Sequence, residues 1–178
     1  MHNNLILMLL LVLLFSQNLN ARPDPETKKD LVLFSLGLGL MRVSGEVRIP
    51  FLLTASYQHQ KHLFTLRYLD LFWSEIYSDY DDLGFQEISL LYGLGFRSQN
   101  GHTSIAAGPS LAILETRSRR DFGEEPVFDT VHRLGLALGV QHFWRPIETL
   151  GFGIHGFSNL NSEEHLLGAV VNIQLIFE

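Results

Sequence analysis

Between Glu87 and Arg97 the chain reads Glu-Ile-Ser-Leu-Leu-Tyr-Gly-Leu-Gly-Phe-Arg, and no feature narrows the possible folds more than the alternation within it. Successive side chains of a strand point to opposite faces. Ile88, Leu90, Tyr92, Leu94 and Phe96 therefore share one face, while Glu87, Ser89, Leu91, Gly93, Gly95 and Arg97 share the other. One face is large and apolar; the other is mostly small or charged. Alternation alone does not say which face meets solvent. That follows from how often the pattern returns and where its aromatics and glycines fall.

It returns seven more times. Leu31 to Met41 sets Val32, Phe34, Leu36, Leu38 and Leu40 against Ser35, Gly37 and Gly39; residues 42 to 48 then read as a connection. Ile49 to Gln58 sets Phe51, Leu53 and Tyr57 against Leu52, Thr54, Ser56 and Gln58, and a tight turn at His59-Gln-Lys61 follows. His62 to Trp73 sets Phe64, Leu66, Tyr68 and Phe72 against Thr65 and Arg67, with Asp70 on the apolar face, which suggests a slip of phase near that end. After Ser98-Gln-Asn-Gly101, a short-turn signal, His102 to Leu114 sets Ile105, Leu111 and Ile113 against Ser104, Ala106, Gly108 and Ser110. Pro109 lacks a ladder donor and suggests a bulge there. Val131 to Trp144, Thr149 to Ser158 and His165 to Phe177 complete the set, with Arg145-Pro-Ile-Glu148 as a turn and Asn159 to Glu164 as a polar loop. No segment after residue 30 has a helical period.

Composition limits what such a chain can do. It has 178 residues, enough for one domain, and no cysteine, which excludes disulfide frameworks, thiol chemistry and an acylated lipoprotein N-terminus. A net charge of -6 without a basic stripe argues against nucleic acid as a partner. Leu5 to Phe15 is an apolar run of signal-peptide length, too short for a membrane helix, which needs about 20 residues. The polar stretch after it ends at Asn20-Ala21, a small-residue cleavage point. Residues 1 to 21 therefore read as a signal peptide, 22 to 30 as a polar stub and 31 to 178 as the folded domain.

Volume decides the faces. An eight-stranded barrel has an interior only wide enough to be filled by side chains. The Leu, Phe, Tyr and Trp of eight long strands would overfill it, whereas the Gly, Ser and Ala face with a few charges fits. The apolar face is expected outside, where an exported chain needs lipid to cover it. Connection lengths agree. The second, fourth and sixth are short turns; the third, Ser74 to Gly84, and the fifth, Glu115 to Thr130, are long and charged; the first and seventh are intermediate. Tyr57, Phe64, Phe96, Trp144, Phe152 and Phe177 then fall near one rim as an aromatic girdle.

The expected fold is all-β: an eight-stranded antiparallel up-and-down transmembrane β-barrel. Over residues 31 to 177 it resembles the small OmpA/OmpX-type outer-membrane barrels. That resemblance implies a Gram-negative outer-membrane location, contact with lipid and lipopolysaccharide, and recognition by the outer-membrane assembly machinery through a strand-final aromatic. Phe177 occupies that place, followed by Glu178.

Candidate chemistry is sparse. Inward Arg67, Glu87, Arg133 and Gln141 form a candidate polar cluster, because charges in a narrow lumen must be paired. His155-Gly-Phe-Ser158 followed by Asn159 resembles the His-x-Ser-Asn arrangement of outer-membrane lipid A deacylases, with Glu163 or Glu164 as a possible partner of the His. Positions 155 and 158 point to opposite faces, so a His–Ser hydrogen bond requires a bulge. Asp79-Tyr-Asp81-Asp82-Leu-Gly84 begins like a calcium loop but has Leu83 and Leu90 at ligand positions, so no metal or cofactor is expected. His59, His62, His102 and His142 collect at the girdle end without ligand spacing. Arg117, Arg119 and Arg120 could meet lipid phosphates. The reading is a structural or surface-interaction protein with a closed lumen, whose long loops meet headgroups or an extracellular partner. The alternatives are a lipid hydrolase using His155 and Ser158, and a soluble lipocalin-like barrel holding an apolar ligand.

Overall fold

The computed structural model describes residues 30–43, 46–71, 83–98, 100–118, 127–161 and 165–178. The segments read as signal peptide and polar stub, apart from Asp30, lie outside the described residues. Nine strands form one antiparallel sheet: β1 (Leu31–Val43), β2 (Glu46–Arg48), β3 (Phe51–His59), β4 (His62–Asp70), β5 (Leu83–Ser98), β6 (Gly101–Ser118), β7 (Val127–Ile147), β8 (Leu150–Asn161) and β9 (His165–Phe177). β1 pairs with both β2 and β3, each strand from β3 onward pairs with the next in the chain, and β1 pairs with β9 to close the barrel. The short β2 continues β3. Met41 pairs with Arg48 and Leu38 with Phe51 in the same register, and Pro50, which has no N–H, interrupts the ladder between them. The barrel therefore has eight staves.

A row of paired residues can be followed around the wall: His132, Ile113, Gln86, Asp70, Phe51, Leu38, Val171, Ile154 and back to β7 at His142, ten residues from its start. Eight staves with a shear of ten tilt by about 40° to the axis. The apolar outer face of β7, from Leu134 to Trp144, then spans roughly 25 Å along the axis, the height of a lipid-facing band.

The faces are as volume requires. Leu90 is 61% exposed, Leu136 46% and Ile173 59%, all pointing away from the axis. The bore, however, is not lined by glycine, hydroxyl groups and charges alone. At the loop end Met41, Val43, Leu52, Leu69, Leu71, Phe85, Phe157, Leu166 and Val170 pack as an apolar cluster. Leu31, Leu33, Leu63 and Ile176 form a smaller one at the turn end. Hydroxyl pairs lie between them, Ser35 with Thr54 at 2.6 Å and Ser56 with Thr65 at 2.8 Å. The physical reason is space: a shear of ten widens an eight-stave bore beyond what small residues fill, and close packing leaves no large void.

Several boundaries differ from the sequence reading. The first connection shrinks to residues 44–45 because β1 and β2 extend the first hairpin, and the seventh shrinks to 162–164 because β8 runs through Asn159 to Asn161. β5, β6 and β7 also lengthen into the charged segments, with Thr116 paired to both Leu83 and Asp129. Asp70 causes no slip. It stays outward in register, accepting a 2.6 Å hydrogen bond from the Tyr68 hydroxyl. Pro109 makes no bulge either, since Ser89–Ser110 and Tyr92–Ala107 on its two sides share one register. The register shift lies between Trp144 and Ile147, leading into the turn at Glu148–Thr149.

Candidate functional site

Arg67 on β4 and Glu87 on β5 point inward because each sits in phase with a small or hydroxyl residue of the neighbouring stave, Arg67 opposite Ser89 and Glu87 opposite Ala112. Both side chains are fully buried, and the Arg67 Nη2 donates to Glu87 Oε1 at 2.6 Å. Arg67 Nε donates to Ser89 Oγ at 3.0 Å, and Nη1 crosses the bore to the Leu138 carbonyl on β7 at 2.9 Å. The other Glu87 oxygen accepts from Asn159 Nδ2 on β8 at 2.6 Å, and that nitrogen also donates to Ser110 Oγ on β6 at 3.0 Å. The Arg67 guanidinium lies 5.7 Å from the centroid of the Phe157 ring. Five consecutive staves are thus tied through one ion pair. A buried pair is tolerated only when its remaining donors and acceptors are satisfied, and here each guanidinium nitrogen and each carboxylate oxygen has a partner.

The other two members of the candidate cluster lie elsewhere. Gln141 is buried toward the turn end, and Arg133 is half-exposed at the loop end. Asn159 and Ser110 take their places. Ser110 is readable as inward from its phase, but Asn159 is hidden in sequence because a polar Asn-x-Asn run after Ser158 reads as a loop.

His155 and Ser158 are not brought together. β8 keeps one register through Gln141–His155 and Leu138–Ser158, so the bulge that a His–Ser contact requires is not present. His155 is buried in the bore, edge-on to Phe157 at 6.2 Å. Ser158 faces outward and donates to the Leu166 carbonyl at 2.8 Å. Glu164 lies outside the described residues.

At the turn end the outward aromatics meet in pairs across staves. Phe64 lies 5.2 Å from Tyr92, Trp144 6.0 Å from Phe152, and Phe177 6.0 Å from Phe34. Phe96 is half-buried at the same end, and the Tyr57 hydroxyl donates to Asp30 at 2.8 Å. Tyr92, Phe34 and His142 belong to this belt too, which sequence phase cannot reveal because height along the axis depends on the shear. The four histidines have separate partners: His59 with Asp30, His62 with the Tyr92 hydroxyl, His102 with Gln58 and His142 with Thr103. Hydrogen bonds from Tyr57 and then His59 hold the Asp30 carboxyl below its ordinary pKa of 3.8.

A closed sheet with an apolar exterior and a buried, hydrogen-bonded ion pair in its bore is a barrel turned inside out relative to water-soluble ones. This is the fold of the small eight-stranded outer-membrane barrels. Solved structures of that fold align over nearly their whole length. The attachment invasion locus protein Ail of Yersinia pestis superposes with a TM-score of 0.61 at 15% identity, covering 84% of this chain and 99% of Ail. Neisserial surface protein A gives 0.62 at 13% identity, covering 83% and 97%. The N-terminal β-barrel domain of Pseudomonas aeruginosa OprF gives 0.59 at 12%, covering 84% and 98%. No family model and no curated protein matches the sequence. The outer-membrane barrel fold thus rests on geometry at identities where sequence similarity has faded.

Proposed function

We propose that this chain is an integral outer-membrane barrel with a non-conducting lumen and a structural or surface-interaction role, exported through cleavage of residues 1 to 21. The observation that carries the reading is the continuous apolar exterior, about 25 Å tall and bounded by aromatics at the turn end. A soluble lipocalin-like barrel would bury that face and leave its exterior polar. With the turns in the periplasm, the hairpins of β5, β6 and β7 project outward. β7 pairs with β6 as far as Val127 but with β8 only from Gly135, and Leu134 there is 80% exposed.

These hairpins are the contact surface for lipopolysaccharide headgroups or an extracellular partner; Arg119 and Arg120 and the side chain of Arg117 lie outside the described residues, and their charges would supply cations for phosphate or sulfate groups. Ail has been crystallised with the heparin analogue sucrose octasulfate, and a polyanionic partner is consistent with those arginines. Phe177 at the end of β9 serves the assembly machinery. Cell fractionation should recover the chain in the outer membrane with heat-modifiable migration, and trypsin added to intact cells should cut at Arg119 or Arg120. Recovery of soluble protein without detergent would reject the reading. The hydrolase alternative predicts an altered lipid A profile on His155→Ala or Ser158→Ala; an unchanged profile is expected.

A further inference from the structure

His59 and His62 flank the two-residue turn between β3 and β4, and the register sets them directly opposite one another. Both are in phase with outward Tyr57 and Phe64, so their side chains share the outer face of the wall. The Cβ atoms of such an opposed pair stand about 4.5–5.5 Å apart. We propose that these two imidazoles are the protein ligands of a site for a borderline divalent metal ion of the zinc class, with Asp30 and Tyr92 as positioning residues behind them. The sequence hides the pair, because a spacing of three residues becomes ligand geometry only once the turn folds it.

Three observations carry the site. First, each ring is held through Nδ1, His59 against Asp30 Oδ1 and His62 against the Tyr92 hydroxyl, both at 2.7 Å. A carboxylate only accepts, so the neutral His59 ring carries its proton on Nδ1 and keeps on Nε2 the lone pair that a metal requires. The Tyr92 hydroxyl accepts as readily as it donates, which lets His62 take the same tautomer. An Nδ1–H given to a fixed acceptor is the arrangement that orients metal-binding histidines.

Second, the two bonds lead in opposite directions. Asp30 immediately precedes β1 and Tyr92 lies on β5, while the staves run in the order β1, β3, β4, β5. The two nitrogens of an imidazole point roughly opposite ways. Drawing one Nδ1 toward β1 and the other toward β5 therefore turns both Nε2 atoms into the space between β3 and β4. One ion binding both at about 2.0–2.1 Å needs them only about 3–4 Å apart, which the opposed pair can reach.

Third, the frame is fixed and open to solvent. The Gln60 carbonyl accepts from Gln58 Nε2 at 2.7 Å and the Lys61 carbonyl from the Gly95 N–H at 2.9 Å, which pins the turn on both sides. The His59 side chain is 53% exposed, so an ion has a way in and water can complete its coordination. His142 at the same end supplies the contrast. It too is held through Nδ1, by Thr103, but its register partners are Thr103 and Ile154 and no second imidazole stands opposite.

The test uses the untagged protein purified in detergent from membranes, stripped with chelator and titrated with zinc chloride in a calorimeter. The expected result is one zinc per chain, with affinity lowered about tenfold or more in His59→Asn and in His62→Asn. Asp30→Asn is expected to lose about tenfold, since its carboxylate acts on the ion only through His59, and His142→Asn to bind as the wild type does. Each variant is first checked for heat-modifiable migration, and His59→Gln or His62→Gln replaces one that does not fold. No zinc bound by the wild type, or binding left intact by either histidine substitution, would overturn the proposal. An equal loss in His142→Asn would overturn it too, as the mark of scattered surface histidines. One zinc per two chains would put the ligands on separate molecules and reject a site on one hairpin. Wild-type affinity in Asp30→Asn would overturn the positioning role of Asp30.

Discussion

Arg67 shows how one residue sets the demands on its neighbours. Its charge is unaffordable in the bore without Glu87, and both are satisfied only because Ser89, Asn159 and the Leu138 carbonyl reach them, with Ser110 accepting in turn from Asn159. Arg67→Met strands the carboxylate and is expected to cost roughly 3–5 kcal/mol. The double variant Arg67→Met/Glu87→Gln should recover most of that, because no charge is left buried; urea titration in lipid vesicles reads both. Inward glycines supply the room. A Cβ on Gly139 would lie 3.0 Å from His155 Nε2, the end of a side chain that can yield, and in ordinary contact with Arg67 Nη1 at 3.8 Å. A Cβ on Gly93 would strike the Ile105 carbonyl and come within 2.5 Å of Ala106 Cα, which cannot. Gly93→Ala should therefore destabilise by about 1–3 kcal/mol, and Gly139→Ala by clearly less in the same titration. The phase of Arg67 and Glu87 is legible in sequence, but their partners are not, because those lie on staves 20 to 72 residues away.

Among the elements, the turns at the girdle end carry the most specific chemistry. The two-residue link between β3 and β4 places Gln60 at φ 55, a left-handed conformation that glycine adopts without penalty. Gln58 offsets part of this by donating to the Gln60 carbonyl at 2.7 Å. Gln60→Gly is expected to be neutral or to stabilise by up to about 1 kcal/mol, read from the unfolding midpoint. The same turn anchors the start of β1, where Asp30 accepts from Tyr57 and His59. Because the folded state lowers the Asp30 pKa, its contribution is present above the ordinary value of 3.8 and is lost as pH falls through the lowered one. Asp30→Asn should thus lower the melting temperature at neutral pH and cease to differ from wild type in strong acid. The strands themselves were legible by alternation, including which face each presents. Their ends were not: a strand continues into a charged segment when a neighbour pairs with it, as β6 does between β5 and β7, and no local signal reports that pairing.

At the scale of the whole molecule the test is where the surface sits. Trp144 is 41% exposed beside Phe152 at the turn end of the apolar band. In a Trp73→Phe background its fluorescence should be quenched by lipids brominated near the headgroup more strongly than by lipids brominated at the chain ends; quenching by aqueous iodide instead would place it outside the bilayer. The sequence by itself determined that the chain would form eight alternating staves with their bulk outward, because period-two patterning and the limited volume of a small barrel are both readable from residue order. Only the tertiary structure decided the shear of ten, the girdle rows that the shear aligns, the apolar clusters at the two ends of the bore and the partners of the buried pair. Each of these depends on which residues of distant staves meet, and closure of the barrel fixes that register only when all eight are in place.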